Sequence, residues 1–182
     1  MSDTQSATPR SSLKIRPAEL EDCGAIASIY NEAIAHGGIT MDGQLQTAED
    51  IQALLAKFNQ REVLLVAEVD SSVVGWGVIK RYSDRIGYQV CCETSVYLSF
   101  SETGKGYGEP LQRSLIKRVS ELGYYHIIAK ILGNNQGSIR FHQRLGFTVV
   151  GIQKDIGYID GTWHDVVILQ YLLPKKLFRA SN

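Results

Sequence analysis

The feature that most constrains the fold is a glycine-rich stretch, ETGKGYG at 102–108, between a strand-like run, TSVYL at 94–98, and a helix-like one at 111–122. Gly104, Gly106 and Gly108 stand at alternate positions and leave backbone N–H groups open, with no Cβ to block approach. A phosphate group laid there meets several donors and the positive end of a helix at once. The loop therefore predicts backbone binding of a phosphorylated ligand. A plain strand-to-helix turn is the reading that the loop alone leaves open. Two familiar phosphate loops are excluded by counting. A P-loop needs glycine at the place of Ser99 and Ser or Thr at that of Gly106, and the dinucleotide fingerprint needs glycine at that of Glu109.

With 182 residues and 44% apolar content, the chain has material for one domain with a sizeable core. Its nineteen basic residues balance nineteen acidic ones, which argues against nucleic acid or an anionic membrane as a partner met through bulk charge. No apolar run approaches the roughly 20 residues that span a bilayer. The opening MSDTQSATPRSS is polar and lacks the apolar stretch of a secretory signal, so 1–12 read as a disordered lead-in. Three cysteines, Cys23, Cys91 and Cys92, without such a signal point to reduced thiols in the cytoplasm. Cys91 and Cys92 are neighbours in a strand-like run, so they face opposite sides and read as packing groups. The four histidines show no metal-ligand spacing, and no metal is expected.

Along the chain, a short strand at 13–16 ends at Pro17, and a helix with Ile26, Ile29, Tyr30 and Ala33 on one face stops at Gly37-Gly38. Thr47 reads as an N-cap with Asp50 as its capping-box partner. Strands at 63–69 and 73–80 form a hairpin, followed by a polar loop at 81–87 and a strand at 90–98. After the glycine loop and its helix come a strand at 125–132, a helix opened by GNNQGS at 133–138, and strands at 147–156 and 164–172 around Asp160-Gly161. The pattern is one α/β domain over 13–173, with a polar tail at 174–182.

Two segments taken together, ETSVYL with TGKGYG at 103–108 and NQGSIRFHQRLGF at 135–147, resemble the acetyl-CoA-binding core of the GNAT superfamily of N-acetyltransferases. In that family a Gln/Arg-x-x-Gly-x-Gly/Ala loop holds the coenzyme A pyrophosphate, and a later Asn-x-x-Ser/Ala-x-x-x-Tyr helix ends in Gly-Phe. The resemblance spans 13–172 and is closer still to the phosphinothricin and methionine-sulfone acetyltransferase branch. IRPAELEDCGAIASIYNEAI at 15–34, the acid leading ETSVYL, His142, and GTWHDV at 161–166 carry that likeness. Arg85 and Tyr88, eight and five residues before Glu93, match the spacing of that branch's substrate-binding residues. Departures are Thr103 for the usual Gln or Arg, Ser83 for a lysine, and Glu109-Pro110 opening the helix.

The resemblance implies a central mixed β-sheet of about seven strands flanked by helices, acetyl-CoA as cosubstrate, a small-molecule amine as acceptor, and a homodimer. It assigns Glu93 as the base for direct attack, with a strand carboxylate paired to Arg85 or a backbone N–H as the alternative. His142 stands where many relatives have a tyrosine that protonates the coenzyme A sulfur. For acetyl-CoA it implies contacts from the backbone of Val96 and Leu98, from Thr103, Gly104, Lys105, Gly106, Tyr107 and Gly108, and from Asn135 and Ser138, with helix capping the other role for Asn135 and Ser138. Arg85 and Tyr88 would take a carboxylate or an oxidised sulfur or phosphorus group. The loop at 36–41 forms another substrate wall, and Trp163, His164 and Asp165 the far side of the site or a subunit contact. A non-catalytic acyl-CoA-binding module and an acetyltransferase for protein amines remain the alternatives.

Overall fold

The computed structural model describes residues 12–174, so that all of the expected lead-in but Ser12, and all of the tail but Pro174, lie outside the described residues. Seven strands make one sheet, in the order β1 (Leu13–Pro17), β2 (Val63–Val69), β3 (Ser72–Arg81), β4 (Cys91–Leu98), β5 (His126–Leu132), β7 (Thr162–Leu172), β6 (Thr148–Ile159). Every neighbouring pair is antiparallel except β4 and β5, which run parallel. Helices α1 (Cys23–His36) and α2 (Ala48–Ala56) precede β2. Helices α3 (Gly108–Glu121) and α4 (Gln136–Arg144) flank β5 in the chain. The mixed sheet implied by the resemblance is thus the one observed.

Strand alternation sorts the core into two layers. On β2, Leu64 and Val66 face α1 and α2 and pack with Ile26, Ile29, Ile51, Trp76 and Val78. Leu65 and Ala67 face the other way, into a larger cluster with Cys92, Leu111, Leu115, Val119, Ile127, Ala129 and Leu169. Helix α3 lies close against β3, since a Cβ added at Gly77 would stand 2.6 Å from Leu115 Cδ1. Leu115 is fully buried, and its truncation to alanine should cost about 2–5 kcal/mol.

Local signals explain the helix ends. Thr47 Oγ1 accepts from Asp50 N–H at 3.2 Å while Asp50 Oδ2 accepts from Thr47 N–H at 2.9 Å, the expected capping box. Helix α3 begins at Gly108, three residues ahead of the expected start, because Glu109 and Pro110 fit a first turn whose N–H groups have no helical partner. The last hairpin is longer than expected. A bulge at Asp155, with φ of 50°, lets β6 run on to Ile159. Asp165 holds that bulge, accepting from Asp155 N–H at 3.0 Å and pairing with Lys154 at 2.6 Å.

Candidate active site

Strands β4 and β5 pair for three rungs only, Cys91 with His126, Cys92 with Ile127 and Glu93 with Ile128. Beyond Glu93 they part, because β4 stays bonded to β3 along its length and β5 to β7. A cavity of about 470 Å³ fills the parting, walled by Thr94–Leu98, Ala129–Ile131 and the open end of α4. Ser99 donates its N–H to Val74 on β3 at 3.0 Å. Backbone groups alternate direction along a strand, so those of Val96 and Leu98 point the other way, into the gap. That is an unpaired strand edge to which an amide-bearing arm can add as a strand would.

The glycine loop closes one end of this gap. Gly104 and Gly108 line the main cavity, and with Gly106 they also line an adjoining cavity of about 290 Å³. Gly104 and Gly106 have φ of 78° and 90°, a left-handed path natural to glycine. Among the described residues no backbone carbonyl accepts from the N–H groups of 104–109, and the first helical bond runs from Leu111 to Tyr107. Unmet donors at a helix N-terminus suit a pyrophosphate. Glu109, in the first turn of α3, pairs with Arg113 at 2.8 Å on its own helix. Glu32 of α1 fixes the loop's entry by accepting from Phe100 N–H at 2.7 Å and from Ser99 Oγ at 3.1 Å.

Other expected contacts divide. Thr103 lines the cavity, but its hydroxyl donates to Phe100 O at 2.8 Å. Lys105 pairs with Glu102 at 2.9 Å and is half exposed, while Tyr107 packs against the core. Asn135 both lines the cavity and caps α4, accepting from Ser138 N–H at 3.1 Å. Ser138 lies on the same wall.

His142 lines the cavity from α4. Its Nδ1 lies 2.9 Å from Ser138 O, and a carbonyl only accepts, so the neutral ring carries its proton there. Burial lowers its pKa, opposed by the Ser138 bond, and Nε2 is buried without a partner. A neutral ring in this tautomer has no spare proton to give. The proton-donor role implied by the resemblance needs the imidazolium, the form that burial disfavours.

On the opposite face of the sheet from α3, Glu93 lies beside Lys130, Oε2 to Nζ 2.7 Å, and not beside Arg85. Ser95 and Tyr97 share Glu93's face by alternation, and Tyr97 stacks on Trp76 at 4.6 Å. Tyr30 reaches this wall as well, bonded to Asp42 and to Thr40 at 2.9 Å. The loop at 36–41 contributes Ile39 to the cavity.

Arg85 and Tyr88 are not brought to the main cavity. They line a separate one of about 170 Å³ with Arg61 and Arg81, because a short turn at Ile86–Tyr88 turns this loop toward Tyr124 instead. Trp163 is 62% exposed and packs on Tyr158 at 4.9 Å, and Asp165 serves the bulge in β6. Sequence reasoning missed Lys130 and Arg144, which lines the cavity beside the glycine loop. A lysine interrupting the apolar HIIAKIL was the signal available for the first.

Comparison with known proteins agrees with this geometry. Residues 15–168 match the family model described as an acetyltransferase (GNAT) domain. Phosphinothricin N-acetyltransferase of Streptomyces viridochromogenes is 32% identical over 86% of this chain and 86% of its own. L-Methionine sulfoximine/L-methionine sulfone acetyltransferase of Salmonella typhimurium is 32% identical over 88% of this chain and 95% of its own. The crystal structure of a GNAT superfamily phosphinothricin acetyltransferase from Sinorhizobium meliloti in complex with AcCoA superposes with a TM-score of 0.85 at 28% identity, covering 93% and 92% of the two chains. A gap with an unpaired strand edge, ended by a loop of unmet N–H donors, fits the acetyl-CoA that this relative carries. The chain therefore belongs to the GNAT acetyltransferases, in the branch of the phosphinothricin and methionine sulfoximine enzymes, and is an acetyl-CoA-dependent N-acetyltransferase.

Proposed function

We propose that the chain acetylates the primary amine of a small amino acid or analogue, of the methionine sulfone, methionine sulfoximine or phosphinothricin type. The acceptors named for its relatives support this. The observation that carries the reading is the parting of β4 and β5, with donor-binding groups on one face and Glu93 on the other. In this reading the acetyl donor enters along the glycine loop and the edge of Val96 and Leu98, and the amine approaches from the side of Glu93.

Acetyl-CoA supplies an acetyl group already activated as a thioester. The chain's residues then have three tasks. Backbone N–H groups at Gly104, Gly106 and Gly108 hold the pyrophosphate, with Arg144 close by as a cation. The edge of Val96 and Leu98 aligns the arm. Glu93 takes a proton from the ammonium so that a neutral amine attacks, directly or through a water. His142 shapes the gap as a neutral ring, and the departing sulfur takes its proton from solvent.

In the same reading the protein works in the cytoplasm, where its buried thiols stay reduced, and as a homodimer. Exposed Val150, Ile152, Ile156, Tyr158 and Trp163, gathered on the outermost hairpin, support the dimer. Sedimentation of the purified chain tests it. For the activity, a panel of amino acids, sulfones, simple amines and N-terminal peptides is assayed for free thiol release with acetyl-CoA. The highest kcat/KM is expected for the small amino-acid analogues. Turnover of peptides alone would move the enzyme to protein amines. Binding of acetyl-CoA with no turnover of any amine would make it an acyl-CoA-binding module.

A further inference from the structure

Glu93 and Lys130 form an ion pair where β4 and β5 part. Lys130 is the one Lys, Arg, Asp or Glu of β5, whose Ile127, Ala129 and Ile131 belong to the core on the α3 side. It emerges on the other face two residues after the last paired rung, lines the main cavity, and meets Glu93 where the strands part. Both side chains keep solvent access, 46% and 30%. An ion pair of that exposure adds little to stability, about 0–1 kcal/mol. Its position therefore calls for another explanation.

Before reaction, the ammonium that Glu93 holds is that of Lys130. An incoming ammonium that Glu93 deprotonates directly takes that place, and Lys130 is then left with its charge uncompensated in the cavity wall. A simple amine offers nothing in return. An α-amino acid carries a carboxylate on the carbon next to its ammonium, so one zwitterion can meet both members of the pair, separated by 2.7 Å. Arg85, which the sequence suggested for this anion, lies in a different cavity. Lys80 stands opposite Glu93 in register on β3 and is exposed, and it does not line the main cavity.

We infer that Lys130 is the specificity-determining residue for the acceptor, receiving its α-carboxylate while Glu93 takes its ammonium, so that the apo ion pair is exchanged for two pairs with a zwitterion. This deepens the proposed function and rests on its assignment of Glu93 as base. Ion-pair exchange conserves charge in the wall, which makes the free acid a better acceptor than any neutral derivative of the same side chain.

The test compares methionine sulfone with its methyl ester in the wild type, Lys130→Met and Lys130→Arg. Taking the double ratio of kcat/KM cancels the intrinsic reactivity of each amine. Lys130→Met should lower kcat/KM for the free acid roughly 10- to 100-fold, mainly through KM, the scale of one charged hydrogen bond. The ester should change far less, and Lys130→Arg should restore most of the loss. Unchanged acetyl-CoA affinity by calorimetry confirms that the variants are folded. Equal losses for acid and ester would overturn the inference, leaving Lys130 as a support for Glu93. So would no loss for either, or a wild type that prefers the ester or acetylates only other amines, and in these cases the acetyltransferase reading stands. A wild type that acetylates no amine at all would remove that reading first, and this one with it.

Discussion

Nδ1 of His142 lies 2.9 Å from the carbonyl oxygen of Ser138, one turn earlier on α4, which fixes the neutral ring as the Nδ1–H tautomer. Burial holds its pKa below the ordinary value of about 6.5. The unfolded chain therefore binds the proton more readily than the folded one. Stability from this group is complete above about pH 6.5 and is lost as pH falls through that value toward the lower folded pKa. His126, also lowered by burial, acts in the same direction. Urea unfolding at pH 7 and pH 5 should show a steeper loss for the wild type than for His142→Ala, although the variant is the less stable at pH 7. Parallel losses would mean that the ring titrates freely in the folded protein.

Glu93 and the glycine loop stand at different ends and faces of one gap, so their variants should separate cleanly. Glu93→Gln is expected to reduce kcat by roughly 10²–10⁴-fold, the usual span for loss of a general base. Acetyl-CoA affinity, measured by calorimetry, should stay within error. At neutral pH His142→Ala should cost kcat much less than Glu93→Gln. A comparable loss in both would restore His142 to the chemistry.

Gly106 has φ of 90°, and an added Cβ there meets open space. Valine at this position should therefore strain the backbone by roughly 1–2 kcal/mol without a clash. The strain shifts the N–H donors that the pyrophosphate needs. Gly106→Val should weaken acetyl-CoA binding by more than about tenfold, one or two charged hydrogen bonds' worth. Thermal melting should fall only modestly. Undiminished affinity would reduce the loop to a plain turn.

Arg85 provides a contrast with Lys130. Because it lines a separate cavity, Arg85→Ala should leave kcat/KM for methionine sulfone within about threefold, the range of ordinary surface changes. A loss of tenfold or more would mean that the loop at 82–89 reaches the acceptor during turnover.

All three cysteines are buried and free. Burial raises the thiol pKa of each, that of Cys91 to about 11. With thiolate so scarce at neutral pH, the native protein should react with a thiol-specific disulfide reagent far more slowly than the same protein in denaturant. Rapid native labelling would show that β4 opens locally. Slow labelling makes thiol-release assays free of background from the enzyme.

The chain by itself determined every element whose cause is local. Alternation at 63–69 and 73–80, the Thr47 and Asp50 box, and the left-handed glycines after β4 are dictated by side-chain period and backbone sterics, and each lies where the residues place it. Asn135 and Ser138 were legible for the same reason, as capping is a contact three residues long. What the tertiary structure decided involves residues far apart in sequence. Glu93 finds Lys130 and not Arg85 because β4 and β5 become neighbours after an intervening loop and helix, a pairing no local pattern encodes. Where those strands part, and hence which edge of Val96 and Leu98 is left unpaired, depends on β3 and β7 holding them from either side. The state of His142 likewise follows from how deeply Phe141 and Phe147 enclose it, at ring distances of 5.2 and 5.0 Å. Local sequence sets which groups are available, and only the packed sheet sets the dielectric and the partners that decide their chemistry.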